Sequence, residues 1–131
     1  MSDPKPSIRT PLSRVRYLGS ARSGTQHFWH QRLTSVALIP LTIFALFLVL
    51  ALLGRNHAAV VQILGSSPVA IGMLLFVLVS VYHMWLGMQV IIEDYVHDEL
   101  PKYAALMSNT FFSCAVGLTA VFAILKLSFG L

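Results

Sequence analysis

Three long runs without a charged residue decide what this chain can fold into: residues 33–53, 69–92 and 104–125. Each exceeds the ~20 residues that an α-helix needs to cross about 30 Å of hydrocarbon. Lipid offers no water to pair with backbone amides and carbonyls, so a crossing run satisfies them within itself, as a helix. Pro40 interrupts the first run and removes one amide donor, which membrane helices tolerate, usually with a bend. The reading is an all-α membrane protein with three transmembrane helices, over about 28–53, 68–95 and 103–128.

Composition supports this. Charged residues make up 11% of the chain and hydrophobic residues 56%. A soluble domain carries about 25% charged residues. This chain cannot cover a water-facing surface, so a soluble globular fold is excluded. The first apolar run is also too long for a signal-peptide core of roughly 7–15 residues, so it reads as a retained helix.

Residues 1–26 read as a polar N-terminal segment, and 27–131 as the membrane domain. Pro4, Pro6 and Pro11, among Ser, Gly and Arg, disfavour a long helix there. Of the nine Lys and Arg, Lys5, Arg9, Arg14, Arg16, Arg22 and Arg32 precede the first run. Such a cluster beside a membrane helix is an orientation signal rather than a nucleic-acid patch. It puts the N-terminus in the cytoplasm, the first connection outside, the second inside and the C-terminus in the periplasm. The second connection is short and acidic, with Glu93, Asp94, Asp98 and Glu99. Acidic residues weigh little in this rule, and a short connection makes its helices antiparallel neighbours. Trp29, Tyr95 and Tyr103, with His27, His30 and Arg32, fall at the cytoplasmic interface on this reading. The single cysteine, Cys114, has no disulfide or CxxC partner and reads as a small packing residue.

His83 stands out. It lies inside the second run, where an ionisable group is costly and usually functional. The plainer reading is a neutral histidine bonded to a neighbouring helix. A neutral imidazole in a helical bundle is also a natural ligand for haem iron. At 100° per residue, Gly72, Phe76, Ser80, His83, Gly87, Val90 and Asp94 fall near one face. This stripe suits a bulky flat ligand, or equally a close helix neighbour. On this reading no other histidine shares the depth of His83, so a second axial histidine would come from another chain.

Around His83, Met84 and Met88 read as bundle packing, and Gln89 as an interhelical hydrogen-bonding group, as do Ser108, Asn109, Thr110 and Ser113. Asp94 and Tyr95 end the second helix, where an interfacial anchor and a solvated acid are the plain readings. A phenol that donates to a carbonyl at the bilayer edge, with a carboxylate beside it, is the functional one. Arg32 reads either as an orientation anchor or as a partner for a carboxylate such as a haem propionate. There is no nucleophile–base pair, phosphate loop or metal cluster in the sequence. The chain reads as a binder of redox groups, not a catalyst on its own.

Two segments carry a family resemblance: His27-Phe28-Trp29-His30-Gln31-Arg32-Leu33-Thr34, and His83-x3-Gly87-Met88-x5-Asp94-Tyr95-Val96. In these segments and its three-helix layout the chain resembles the smaller haem-binding membrane anchor of bacterial succinate dehydrogenase, respiratory complex II. The resemblance implies a non-catalytic subunit of an oxidoreductase in the inner membrane, working in respiratory electron transport and the tricarboxylic acid cycle. It implies haem b shared with a larger cytochrome b type anchor, with His83 as one axial ligand. It implies ubiquinone near Tyr95 and Asp94, and Arg32 near the haem propionate or quinone region. Its partners would be that larger anchor, an iron–sulfur subunit and a flavoprotein subunit. The rivals are the haem-binding anchor of a fumarate reductase, a purely structural assembly subunit, and a small transporter. The last is disfavoured by the lack of a broken helix or intramembrane charges.

Alkaline phosphatase fused within residues 54–68 should be active, and fused after Tyr95 inactive. The reverse pattern would overturn the orientation.

Overall fold

The computed structural model describes residues 10–16 and 24–130. Most of the expected polar segment, including Lys5, Arg9 and Arg22, lies outside the described residues. The described chain is all-helical: α1 (Pro11–Val15), α2 (Gly24–Leu52), α3 (His57–Gly65), α4 (Ser67–Tyr95) and α5 (Glu99–Phe129). The three long helices have 29, 29 and 31 residues. At 1.5 Å per residue each is longer than about 30 Å of hydrocarbon. By length and composition, all three can cross a membrane.

The boundaries depart from expectation in three places. α2 runs unbroken through Pro40 and starts at Gly24, four residues early. α5 starts at Glu99 rather than near 103, with Pro101 in its first turn. There a missing amide hydrogen costs nothing, because the first turn has no intrahelical acceptor for it. The first connection is not a plain loop but holds α3. Asn56 caps that helix, its side chain accepting from the Ala59 amide at 2.9 Å. The apolar stretch after Asn56 is too short to span a bilayer, which hid it from a search for spans.

Glycine makes two of the turns. Gly54 follows α2 at φ 71° and Gly130 closes α5 at φ 68°, the left-handed region that other residues enter at a cost. A single residue, Ser66, separates α3 from α4, with Pro68 in the first turn of α4. Glu99 in the first turn of α5 and Lys126 in its last complement the helix dipole.

α4 is the central element and packs against both α2 and α5, while α3 folds against the far ends of α4 and α5. The apolar core is small: Leu48, Ala70, Leu86, Ile92 and Ile124 are the buried hydrophobic residues among those described. Leu, Ile, Val and Phe crowd the outside instead. Lipid tails are as apolar as a leucine core, so these faces need no covering by the chain itself. Cys114, read from the sequence as a small packing residue, is exposed on the outer surface of α5 in this chain.

Close approach is bought with glycine at Gly65, where an added Cβ would lie 2.9 Å from the Leu127 carbonyl oxygen of α5. Backbone cannot step aside as a side chain can. Gly65→Ala should therefore cost about 1–3 kcal/mol, measured as a lowered melting temperature of the detergent-solubilised protein. An unchanged melting temperature would show that α3 is not tightly docked.

Candidate functional site

The polar side chains of the membrane region gather along the α2–α4 contact. α2 presents His27, Gln31 and Thr34 at helical spacing, a stripe along one face. His30 sits beside it. α4 runs antiparallel and answers with Tyr82, His83 and Leu86. The His27 Nε2–H donates to the Leu86 carbonyl at 3.3 Å. His30 Nδ1 and the Tyr82 hydroxyl share a hydrogen bond at 2.7 Å.

His83 is half-buried and held on both ring nitrogens by α2. Its Nδ1 lies 2.8 Å from Thr34 Oγ1. The Thr34 hydroxyl also lies 2.8 Å from the His30 carbonyl and 3.1 Å from the Gln31 carbonyl. On the other nitrogen, Gln31 Nε2 approaches His83 Nε2 at 3.5 Å, the outer limit of a hydrogen bond. The Gln31 Oε1 is buried and has no hydrogen-bond partner among the described residues. Nε2 is thus the weakly engaged nitrogen, beside an orphaned carbonyl oxygen.

The glycines of the His83 face are filled from α2. A Cβ on Gly72 would clash with the Phe44 ring at 2.6 Å, and one on Gly87 would lie 3.6 Å from Gln31 Nε2. Here the stripe serves close helix packing, with Gln31 lying over Gly87.

His27 and His30 were expected at the interface, away from His83. His30 reaches Tyr82, the residue before His83, whereas His27 bonds the Leu86 carbonyl, about one turn nearer the C-terminal end of α4. Arg32 follows Gln31, two turns inside α2 rather than at its start. Its guanidinium lies over the Phe28 ring, 5.1 Å from the centroid. Among the described residues, no three His, Cys, Asp or Glu side chains cluster to hold a metal.

Asp94 and Tyr95 stand apart, at the C-terminal end of α4. Tyr95 is 12 residues beyond His83, about 18 Å along the axis. It is 78% exposed, and neither residue makes a hydrogen bond or ion pair among the described residues. The structure brings Gln31 and Thr34 to His83, leaves Arg32 exposed over Phe28, and leaves Asp94 and Tyr95 at the end of α4.

The other face of α4 is tied to α5. Asn109 Nδ2 donates to the Trp85 carbonyl at 3.0 Å, and Trp85 Nε1 donates to Thr110 Oγ1 at 3.1 Å. Trp85 in turn stacks on Tyr82, with centroids 5.8 Å apart. The interhelical role expected of Asn109 and Thr110 is what they perform. Gln89 makes no hydrogen bond among the described residues, and Ser113 Oγ is buried without a partner. Sequence reasoning missed Gln31 and Thr34. The spacing 27, 31, 34 was the available signal, a polar stripe on the turns that lead into an apolar helix.

Comparisons with known proteins agree with one another. The family described as succinate dehydrogenase/fumarate reductase transmembrane subunit matches residues 6–124. The succinate dehydrogenase hydrophobic membrane anchor subunit of Paracoccus denitrificans is 32% identical over 121 residues, 92% of this chain and 93% of that protein. The subunit of the same name from Rickettsia bellii is 30% identical over 106 residues, 81% and 85% of the two chains. The succinate dehydrogenase membrane anchor subunit of Reclinomonas americana is 30% identical over 88 residues, 65% and 73%. No solved structure matches the chain.

Proposed function

The chain belongs to the family of succinate dehydrogenase/fumarate reductase transmembrane subunits, and on that premise we propose that it anchors a succinate:ubiquinone oxidoreductase, holds haem b through His83 and lines part of the quinone site. One observation carries the reading. His83 is an imidazole inside the longest uncharged run, tied at Nδ1 and only weakly engaged at Nε2.

The donor set fits the group. Iron takes a neutral imidazole through the nitrogen that keeps its lone pair, and a hydrogen bond on the other nitrogen orients the ring. The orphaned Gln31 Oε1 marks a side chain whose polar needs are unmet where it lies. Swinging that carboxamide off Gly87 opens the face beside Nε2. Arg32, whose guanidinium is exposed beside the Phe28 ring, is the cation of α2 that would pair with a propionate. When bound, haem supplies a one-electron carrier within the membrane. A further protein ligand would come from the larger cytochrome b type anchor, because His27 and His30 already bond the Leu86 carbonyl and the Tyr82 hydroxyl.

Tyr95 donates its hydroxyl hydrogen to a carbonyl of ubiquinone at the bilayer edge. Asp94 beside it orients the phenol or relays a proton toward the reduced quinone. Both are free to meet a ligand and a soluble partner, as their exposure allows. The iron–sulfur and flavoprotein subunits dock on this end, in the cytoplasm, and the anchor sits in the inner membrane. That the relatives are named as succinate dehydrogenase anchors favours succinate oxidation over fumarate reduction.

Two measurements test the reading. In membranes holding the complete complex, the dithionite-reduced minus oxidised spectrum should show a b-type α-band that His83→Ala removes or alters. An identical band at matched complex content would end the ligand assignment. Tyr95→Phe should slow ubiquinone reduction roughly tenfold, the worth of one hydrogen bond to the reacting group. Succinate oxidation by an artificial acceptor should be unchanged. Full quinone reductase activity in that variant would remove Tyr95 from the site.

A further inference from the structure

We propose that Thr34 is the positioning residue for His83: its hydroxyl oxygen accepts a hydrogen bond from Nδ1–H, which fixes the ring and leaves the Nε2 lone pair as the metal-binding one. The inference rests on the reading of His83 as the haem ligand. A threonine hydroxyl has one hydrogen to give. In α2 that hydrogen has two carbonyl acceptors on the preceding turn, His30 at 2.8 Å and Gln31 at 3.1 Å. The oxygen lone pairs are then what faces His83 Nδ1 at 2.8 Å, so Nδ1 carries the hydrogen.

On the far side of the ring, Nε2 meets only the end of the Gln31 carboxamide, at 3.5 Å, so no short hydrogen bond competes for that nitrogen. Thr34 is also well suited to hold a ring still. It is buried, its β-branched side chain is stiff, and its hydroxyl is anchored to helix backbone rather than to another mobile side chain. Serine at this position would keep the acceptor, and valine would keep the shape without it.

The test uses the intact purified complex carrying Thr34→Val, Thr34→Ser or His83→Ala, at matched subunit content. The readouts are the electron paramagnetic resonance g-values of the ferric haem, its midpoint potential, and the rate of haem loss to excess apomyoglobin. Thr34→Val should shift the g-values and potential and hasten haem loss about tenfold or more, the usual scale for removing a ligand's outer hydrogen bond. Thr34→Ser should match the wild type. Thr34→Ala, which removes the hydroxyl without adding bulk, should repeat the Thr34→Val result if valine hinders assembly. Wild-type behaviour in the hydroxyl-free variants, or equal damage in Thr34→Ser, would overturn the proposal while leaving the ligand assignment standing. A haem signal untouched by His83→Ala would overturn both.

Discussion

An imidazole placed in hydrocarbon must find a hydrogen-bond partner or pay several kcal/mol for its absence. His83 finds its partner on α2, at Thr34. That requirement sets the register of the two helices, because only one alignment brings residue 34 opposite residue 83. The neighbouring bonds, His27 to Leu86 and His30 to Tyr82, fit the same alignment. A polar stripe that looks like an interfacial segment in one dimension is thereby drawn down beside the histidine.

The other half of the bundle obeys the same logic. In lipid there is no hydrophobic drive to bring helices together, so small residues and polar bonds do the work. Asn109 and Thr110 tie α5 to Trp85 of α4, and Gly65 lets α3 settle against the backbone of α5. The sparse core follows. The chain invests its specificity in a few polar contacts and leaves its outer faces to lipid and to partner subunits.

The sequence made the three spans legible because charge-free length is a one-dimensional property. The places of His83 within α4 and of Asp94 and Tyr95 at its end were legible for the same reason, since position along a span is also one-dimensional. α3 was not, since a short apolar helix between two spans carries no length signal, and only its Asn56 cap marks it. Gln31 and Thr34 were hidden for a different reason. A threonine entering a membrane helix is ordinary until the opposing helix is known, and helix register is a three-dimensional fact. The contact of His30 with Tyr82 was hidden on the same account, because it depends on which turn of α4 faces α2.

One consequence of the Thr34–His83 bond concerns assembly rather than chemistry. The ring is tied to α2 on one side, so anything that loads its other side also steadies the α2–α4 pair. Binding and helix association become one linked equilibrium, and a ligand at a hundred times its dissociation constant would add about 2.7 kcal/mol to the paired state. Linkage runs both ways. A chain whose helices have paired out of register loses the Thr34 bond at Nδ1, and with it this coupling.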